Sequence, residues 1–329
     1  MIGLPGIKFG ACLSTFARCS DRYCQTGYGE GATTLDQLLD CAREVEDLQG
    51  IELECNRHVF APDLPRIRQM VRDRGLEVCM VTTDLWTQAK WGLGSLSAQN
   101  EQTRKDAIDE VKRSMDMAAE LGARYVNVWP GQDGYDYLFQ AHYQNVWQWM
   151  VDGLRICAQH RNDVSIVVEY KPKEPRTHIG IGNVGKAVLL LNEVNCENTG
   201  VLLDTGHAAQ AYENPAESVA LLSRWNRLAY LHFNDNWHEW DDDMLVGSVH
   251  TIELFETIYW LKKVKYSGWL TLDLYPYRED GVRAARESIA WIKGVWARID
   301  QIGIEQFDAL LEQGDPTMIS ALMRQIILQ

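Results

Sequence analysis

The chain has 329 residues, 46% of them hydrophobic, which is enough apolar surface for a large core, yet no run of roughly 18 apolar residues marks a membrane helix. The net charge is −14 with no Lys/Arg-rich run, which argues against nucleic acid as a partner, because that binding rests on phosphate neutralisation. The opening MIGLPGIKFGACL lacks the charged start and long apolar stretch of a secretory leader, so a cytoplasmic location is expected.

From the N-terminus onward, short β-branched or apolar runs alternate with longer segments of helical periodicity. IKFGACL (7–13) reads as a strand, followed by a helix near 34–48; GIELEC (50–55) is followed by a helix near 63–74. LEVCMVT (76–82) precedes a helix near 99–121, and RYVNVW (124–129) precedes one near 138–160. VSIVVEY (164–170) leads to 183–195, and TGVLLD (199–204) to 215–225. LAYLHF (228–233) leads to 251–264, and WLTLDL (269–274) to 280–299. Eight strand–helix units in one chain of this size fit a closed (β/α)8 TIM barrel better than an open doubly wound sheet.

The barrel is expected to fill 1–302 as one domain, with 303–329 a C-terminal helical tail. That tail reads as two short amphipathic helices split by Gly-Asp-Pro. Its apolar residues, Phe307, Leu310, Leu311, Met318 and Leu322 among them, need cover, from the barrel's own helices or from a second subunit. A homodimer or homotetramer is the favoured expectation. The eight cysteines form no C-x-x-C pair, and several sit in strand-like runs, so free buried thiols are expected rather than disulfides.

In such a barrel the reactive groups belong at the C-terminal ends of the strands. Glu169 ends the fifth strand and Lys171 follows; Asp204 ends the sixth, with His207 just beyond. His232 ends the seventh, whose loop carries Asp241 and Asp243, and Asp273 lies near the end of the eighth. Singly, each residue passes for a helix cap, a turn or a hydrogen-bonded core group. Four successive strands bringing acids or histidines to one mouth do not. Carboxylates crowded there would repel one another, and divalent cations remove that difficulty.

These motifs resemble those of xylose isomerase and its relatives, including L-rhamnose isomerase and the ketose 3-epimerases. VVEYKPKEPR (167–176) is similar to the family's fifth-strand signature, and WDDDMLVGSV (240–249) to its Asp-x-Asp loop. MVTTDLWTQAKWGLGSLSAQNEQTR (80–104) and LGARYVNVWPGQDGYD (121–136) resemble the segments that carry its active-site tryptophans. The resemblance implies a cytoplasmic, metal-dependent aldose–ketose isomerase with a small sugar as partner and two divalent cations, Mn²⁺, Mg²⁺ or Co²⁺, as cofactors. Glu169, Asp204, His232 and Asp273 would hold one ion, and Asp204, His207, Asp241 and Asp243 the other. Lys171, Glu169 and Asp241 would be catalytic, with Lys171 countering charge on the carbonyl oxygen during a hydride shift. Trp86, Trp129 and Phe16 would contact the sugar.

The sequence departs from the xylose isomerase pattern at three places. Asp204 stands where that family has Glu, and His232 where it has Asp, a combination closer to L-rhamnose isomerase and the 3-epimerases. The second-strand histidine for ring opening has no clear counterpart, which leaves Glu54 and His58 as candidates. Three alternatives stay open: a ketose 3-epimerase using Glu169 and Asp273 around one metal, a non-catalytic sugar-binding barrel, and an endonuclease-like phosphodiesterase, against which the acidic balance counts.

Overall fold

The strand runs are apolar on both faces, so each strand needs cover on both sides. The chain provides it by closing the sheet into a ring inside a ring of helices. The computed structural model describes residues 4–29 and 31–328; residues 1–3 and 30 of the expected barrel span and residue 329 of the expected tail lie outside the described residues. The barrel strands are β1 (Ile7–Cys12), β2 (Leu48–Glu54), β3 (Glu77–Thr82), β4 (Tyr125–Val128), β5 (Ser165–Glu169), β6 (Thr199–Asp204), β7 (Leu228–Phe233) and β8 (Gly268–Leu272), and Gly134–Tyr135 pairs antiparallel with His178–Ile179 outside them. Each barrel strand pairs in parallel with its sequence neighbours, and β1 closes on β8. This is the expected (β/α)8 barrel with extra C-terminal helices.

Around it lie α1 (Leu35–Arg43), α2 (Leu64–Asp73), α3 (Glu101–Leu121), α4 (Tyr143–Ala158) and α5 (Val184–Val194). They are followed by α6 (Thr205–Gln210), α7 (Pro215–Arg224), α8 (Thr251–Lys263), α9 (Gly281–Ile302), α10 (Ile304–Gln313) and α11 (Pro316–Leu328). Polar caps set many of the starts: Thr34 with Gln37 in a capping box, and Asn100, Asn183, Asn214 and Asp280 each accepting from a first-turn N–H. Several elements differ from the sequence reading, the fourth helix among them, which starts at Tyr143 rather than near 138. The first helix stops at Arg43 rather than running to 48, because Leu48 is buried as the start of β2. Helix α6 was not anticipated, since six residues are too few to show helical periodicity.

Alternation along the strands divides the barrel interior into layers. Met80, Val167, Leu202 and Tyr230 point inward and form a dry plug, packed against Tyr125 and Trp269. Two residues further along the same strands, and so on the same face, come Thr82, Glu169, Asp204 and His232, with Asn127 above Tyr125. An apolar floor thus carries a polar layer, and that polar layer is the mouth.

The tail folds back on the barrel: the rings of Tyr259 on α8 and Phe307 on α10 lie 5.5 Å apart, and Lys263 Nζ meets Asp308 at 2.6 Å. Leu311, Met318, Ile327 and Leu328 remain exposed. All eight cysteines are free thiols. Among the described residues no helix is long and apolar enough to cross a membrane.

Candidate metal centre at the barrel mouth

At the C-terminal ends of the strands lies a cavity of about 320 Å³, lined by Glu52, Glu54, Arg57, Trp86, Asn127, Trp129, Glu169, Lys171, His207, His232, Asp241, Asp243 and Asp273 among others. All of the predicted cluster but Asp204 lines it, and Asp204 is fully buried against the same residues. Phe16 and His58 do not line the cavity. Phe16, just past the end of β1, is buried in the core and lines a separate cavity, and His58 is buried with its Nδ1 accepting from the Glu54 backbone N–H at 3.2 Å. Burial brings the His58 imidazolium down to about 3, so the ring is neutral.

His232 is the hub. Its Nδ1 lies 3.3 Å from Glu169 Oε1, 3.2 Å from Asp273 Oδ2 and 3.8 Å from Asp204 Oδ2. One ligand atom from each of Glu169, Asp204, His232 and Asp273 falls within 4.8 Å of the others. A second such set joins Asp204, His207 and Asp241, so Asp204 belongs to both. Asp243 lines the same cavity but falls outside these sets.

The backbone explains how Asp204 can serve twice. As the last residue of β6 it caps α6, its Oδ1 accepting from His207 N at 2.8 Å, while Oδ2 accepts from Asn234 Nδ2 at 2.9 Å. Gly206 makes room for this, since a Cβ there would stand 1.9 Å from Asn234 Oδ1.

The electrostatics are those of an anion cluster held in a dry place. Burial, with Asp241 and Glu169 adding to it, pushes Asp204 up to about 7. Asp243 is likewise driven well above the carboxylate range by burial and by Asp241, Asp273 and Asp204. Burial would also raise Glu169, but His232, His207 and a 2.6 Å hydrogen bond from Asn127 Nδ2 bring it down to about 2. Burial opposes the charge on Lys171, yet Asp241 at 2.8 Å and Glu174 beside it keep the ammonium firmly protonated. The residues fit a divalent cation. His207 Nδ1 and Asp241 Oδ1 are buried without a hydrogen-bond partner, and the oxygen-rich donor set with one imidazole in each group suits the Mg²⁺, Mn²⁺ or Co²⁺ class.

Sequence reasoning passed over Glu52, which is 2% exposed and lies 2.7 Å from His232 Nε2. The alternation in GIELEC gives Glu52 and Glu54 a common face, and that signal was available. Arg57 was missed as well; its Nη1 reaches both Glu54 carboxylate oxygens, at 3.0 and 3.1 Å. Trp86 and Trp129 stand together at the mouth, edge to face with centroids 5.3 Å apart.

Comparison with known proteins agrees with this architecture. The xylose isomerase of Thermus thermophilus is 27% identical over 228 residues, a stretch that makes up 67% of this chain but only 59% of that protein. Among solved structures, an L-ribulose 3-epimerase superposes with a TM-score of 0.70 at 14% identity, covering 93% of this chain and 98% of that one. A D-tagatose 3-epimerase-like protein gives 0.69 at 19% identity, covering 89% and 98%. At such identities these structures speak for the fold alone. Residues 39–295, most of the barrel, match the family described as xylose isomerase-like TIM barrel, and the chain belongs to that family.

Proposed function

We propose that this protein is a divalent-metal-dependent enzyme that interconverts an aldose and a ketose. The observation that carries the reading is the buried pair of Lys171 Nζ and Asp241 Oδ2, 2.8 Å apart, beside two ligand sets that share Asp204. Two cations of the Mg²⁺, Mn²⁺ or Co²⁺ class, when bound, would supply Lewis acidity toward the sugar's hydroxyl and carbonyl oxygens. Glu169, Asp204, His232 and Asp273 would hold the first, and Asp204, His207, Asp241 and Asp243 the second.

The protein's own groups do the rest. Lys171, fixed and charged, donates toward the carbonyl oxygen at C1 as negative charge develops there while hydride moves from C2 to C1. Asp241 would take the proton leaving the C2 hydroxyl, and the oxygen at C1 regains one, so the product is an isomer of the substrate. Trp86 and Trp129 exclude water and offer an apolar face to the sugar. Glu54, held by Arg57 at the mouth, would assist ring opening. His58 would act only through the Glu54 backbone, and Phe16 only by supporting the wall. The exposed apolar side chains of the tail favour a homodimer or homotetramer.

A second reading, ketose 3-epimerisation, has its own support. Fold neighbours described as an L-ribulose 3-epimerase and a D-psicose 3-epimerase superpose over about nine tenths of the chain, and Glu169 and Asp273 flank His232 Nδ1 at 3.3 and 3.2 Å as an acid–base pair around one metal would. The likenesses lean this way more than toward the hydride shift. Lys171 and the His207–Asp241 set, for which one-metal epimerisation has no use, lean the other way.

The test is to strip the protein with chelator, restore Mn²⁺, Co²⁺ or Mg²⁺, and screen pentoses and hexoses in D₂O. Metal-restored aldose–ketose exchange with little deuterium in the product supports the hydride shift. Turnover that places deuterium at C3 of a ketose establishes the epimerase instead. No turnover with any metal or sugar sinks both and leaves a binding barrel.

A further inference from the structure

The loop from Asn234 to His250 carries a second cluster, away from the mouth. His238 Nε2 and His250 Nε2 face each other at 2.7 Å. On the far side of each ring, Nδ1 is committed: His238 Nδ1 lies 2.9 Å from the Ala209 carbonyl oxygen, and His250 Nδ1 lies 2.7 Å from Asp235 Oδ1. A carbonyl and a carboxylate oxygen held by backbone donors can only accept, so each Nδ1 must carry its hydrogen. Asp235 is fixed in that role, its Oδ2 accepting from Val249 N at 2.8 Å and His250 N at 3.0 Å. In two neutral rings of this tautomer, both Nε2 atoms are bare lone pairs held 2.7 Å apart. That arrangement calls for a positive centre between them.

We propose that His238 and His250 form a second metal site, separate from the carboxylate centre, for an imidazole-preferring ion of the Zn²⁺ class. The second-sphere partners are those such a site needs: a carboxylate behind one ligating histidine and a backbone carbonyl behind the other. The donor type separates the two sites, since imidazole nitrogen suits Zn²⁺, Ni²⁺ or Cu²⁺, whereas the mouth offers mainly oxygen. With Zn–N bonds of about 2.0–2.1 Å, tetrahedral ligation would have the rings part by less than about 1 Å.

The remaining positions would open into a cavity of about 270 Å³ that includes Glu253 and shares no lining residue with the mouth. Tyr212 stacks on His238 with rings 3° from parallel and closes one side. The ion would tie α6, through Ala209, to the N-terminal cap of α8 at His250, and so brace the loop that presents Asp241.

The experiment uses the full chain in excess Mg²⁺, which fills the oxygen-rich centre, with Zn²⁺ as the titrant. Bound Zn²⁺ is counted by equilibrium dialysis for the wild type, His238→Gln and His250→Gln, and the side-chain ¹⁵N signals of wild-type histidines are followed in parallel. The expected result is one Zn²⁺ more per wild-type chain than per variant, with the Nε2 resonances of His238 and His250 moving together as it binds. Equal stoichiometry in all three proteins, with those resonances unmoved by Zn²⁺, would mean that the pair shares only a proton, and the proposal fails. Should either variant not fold, as judged by circular dichroism, the wild-type resonances decide alone.

Discussion

His232 Nε2 sits 2.7 Å from Glu52 Oε1, while Nδ1 of the same ring turns toward Glu169, Asp204 and Asp273. The carboxylate fixes the hydrogen on Nε2 and leaves the Nδ1 lone pair facing the other acids, as behind a metal-ligating histidine. Glu52→Gln keeps the size but lets the ring choose its tautomer. Mn²⁺ affinity, measured by calorimetry, should fall roughly 10–100-fold. Unchanged affinity would show that Glu52 merely fills the barrel.

Lys171 tests the chemistry rather than the metal. Lys171→Met removes the charge that Asp241 and Glu174 now hold in place. If the ammonium counters charge in the transition state, kcat should drop about 10²–10³-fold with KM little altered. A loss confined to KM would make Lys171 a binding group.

Stability of the metal-free protein should depend on pH in a particular direction. Asp204, raised to about 7, and His207, raised to about 9 by Asp204 and Asp241 against the effect of burial, both hold protons more tightly folded than unfolded. Their contribution is present below the unfolded values and is lost as pH rises through those folded values. Glu169, lowered to about 2, contributes above its unfolded value and loses that contribution only as acid takes it through 2. The melting temperature of chelator-treated protein should therefore fall between about pH 6 and pH 9, and saturating Mn²⁺, displacing those protons, should remove the slope. A metal-free melting temperature that climbs over this range would contradict the assignment.

Gly206→Ala probes how tightly the sixth-strand corner is built. The added methyl meets Asn234 Oδ1 at 1.9 Å and must push away the side chain that holds Asp204 Oδ2. A destabilisation of about 1–3 kcal/mol in chemical denaturation is expected, together with weaker metal binding. A fully stable variant with normal metal binding would mean that the corner can rearrange freely.

The barrel was legible because eight apolar runs alternate with helical segments, and Glu169, Asp204 and His232 because each ends such a run. Glu52 escaped notice because it sits one layer deeper than the strand end, where Glu54 drew attention instead. His207 was legible as a neighbour of Asp204, but not its helix, since TGHAAQ is held by a cap rather than by a periodic face. The places of Phe16 and His58 depend on contacts made by loops after β1 and β2, and residue spacing carries no information about those. The pairing of His238 with His250 joins residues twelve apart across a loop whose path no local pattern reveals.

Asp235 also closes its loop like a clasp: its backbone N–H and carbonyl both bond to Met244, at 3.1 and 2.8 Å, and Tyr275 N reaches in to the Asp243 carbonyl at 3.1 Å. Asp241 and Asp243 therefore hang from a loop that is tied across its base and to Tyr275 just past β8. A stiff frame selects by ionic radius, because it cannot widen to take the longer bonds and extra ligands that Ca²⁺ demands. Such a clasp would make the site a sizing gauge, and calorimetry should show Mn²⁺ or Mg²⁺ bound more tightly than Ca²⁺.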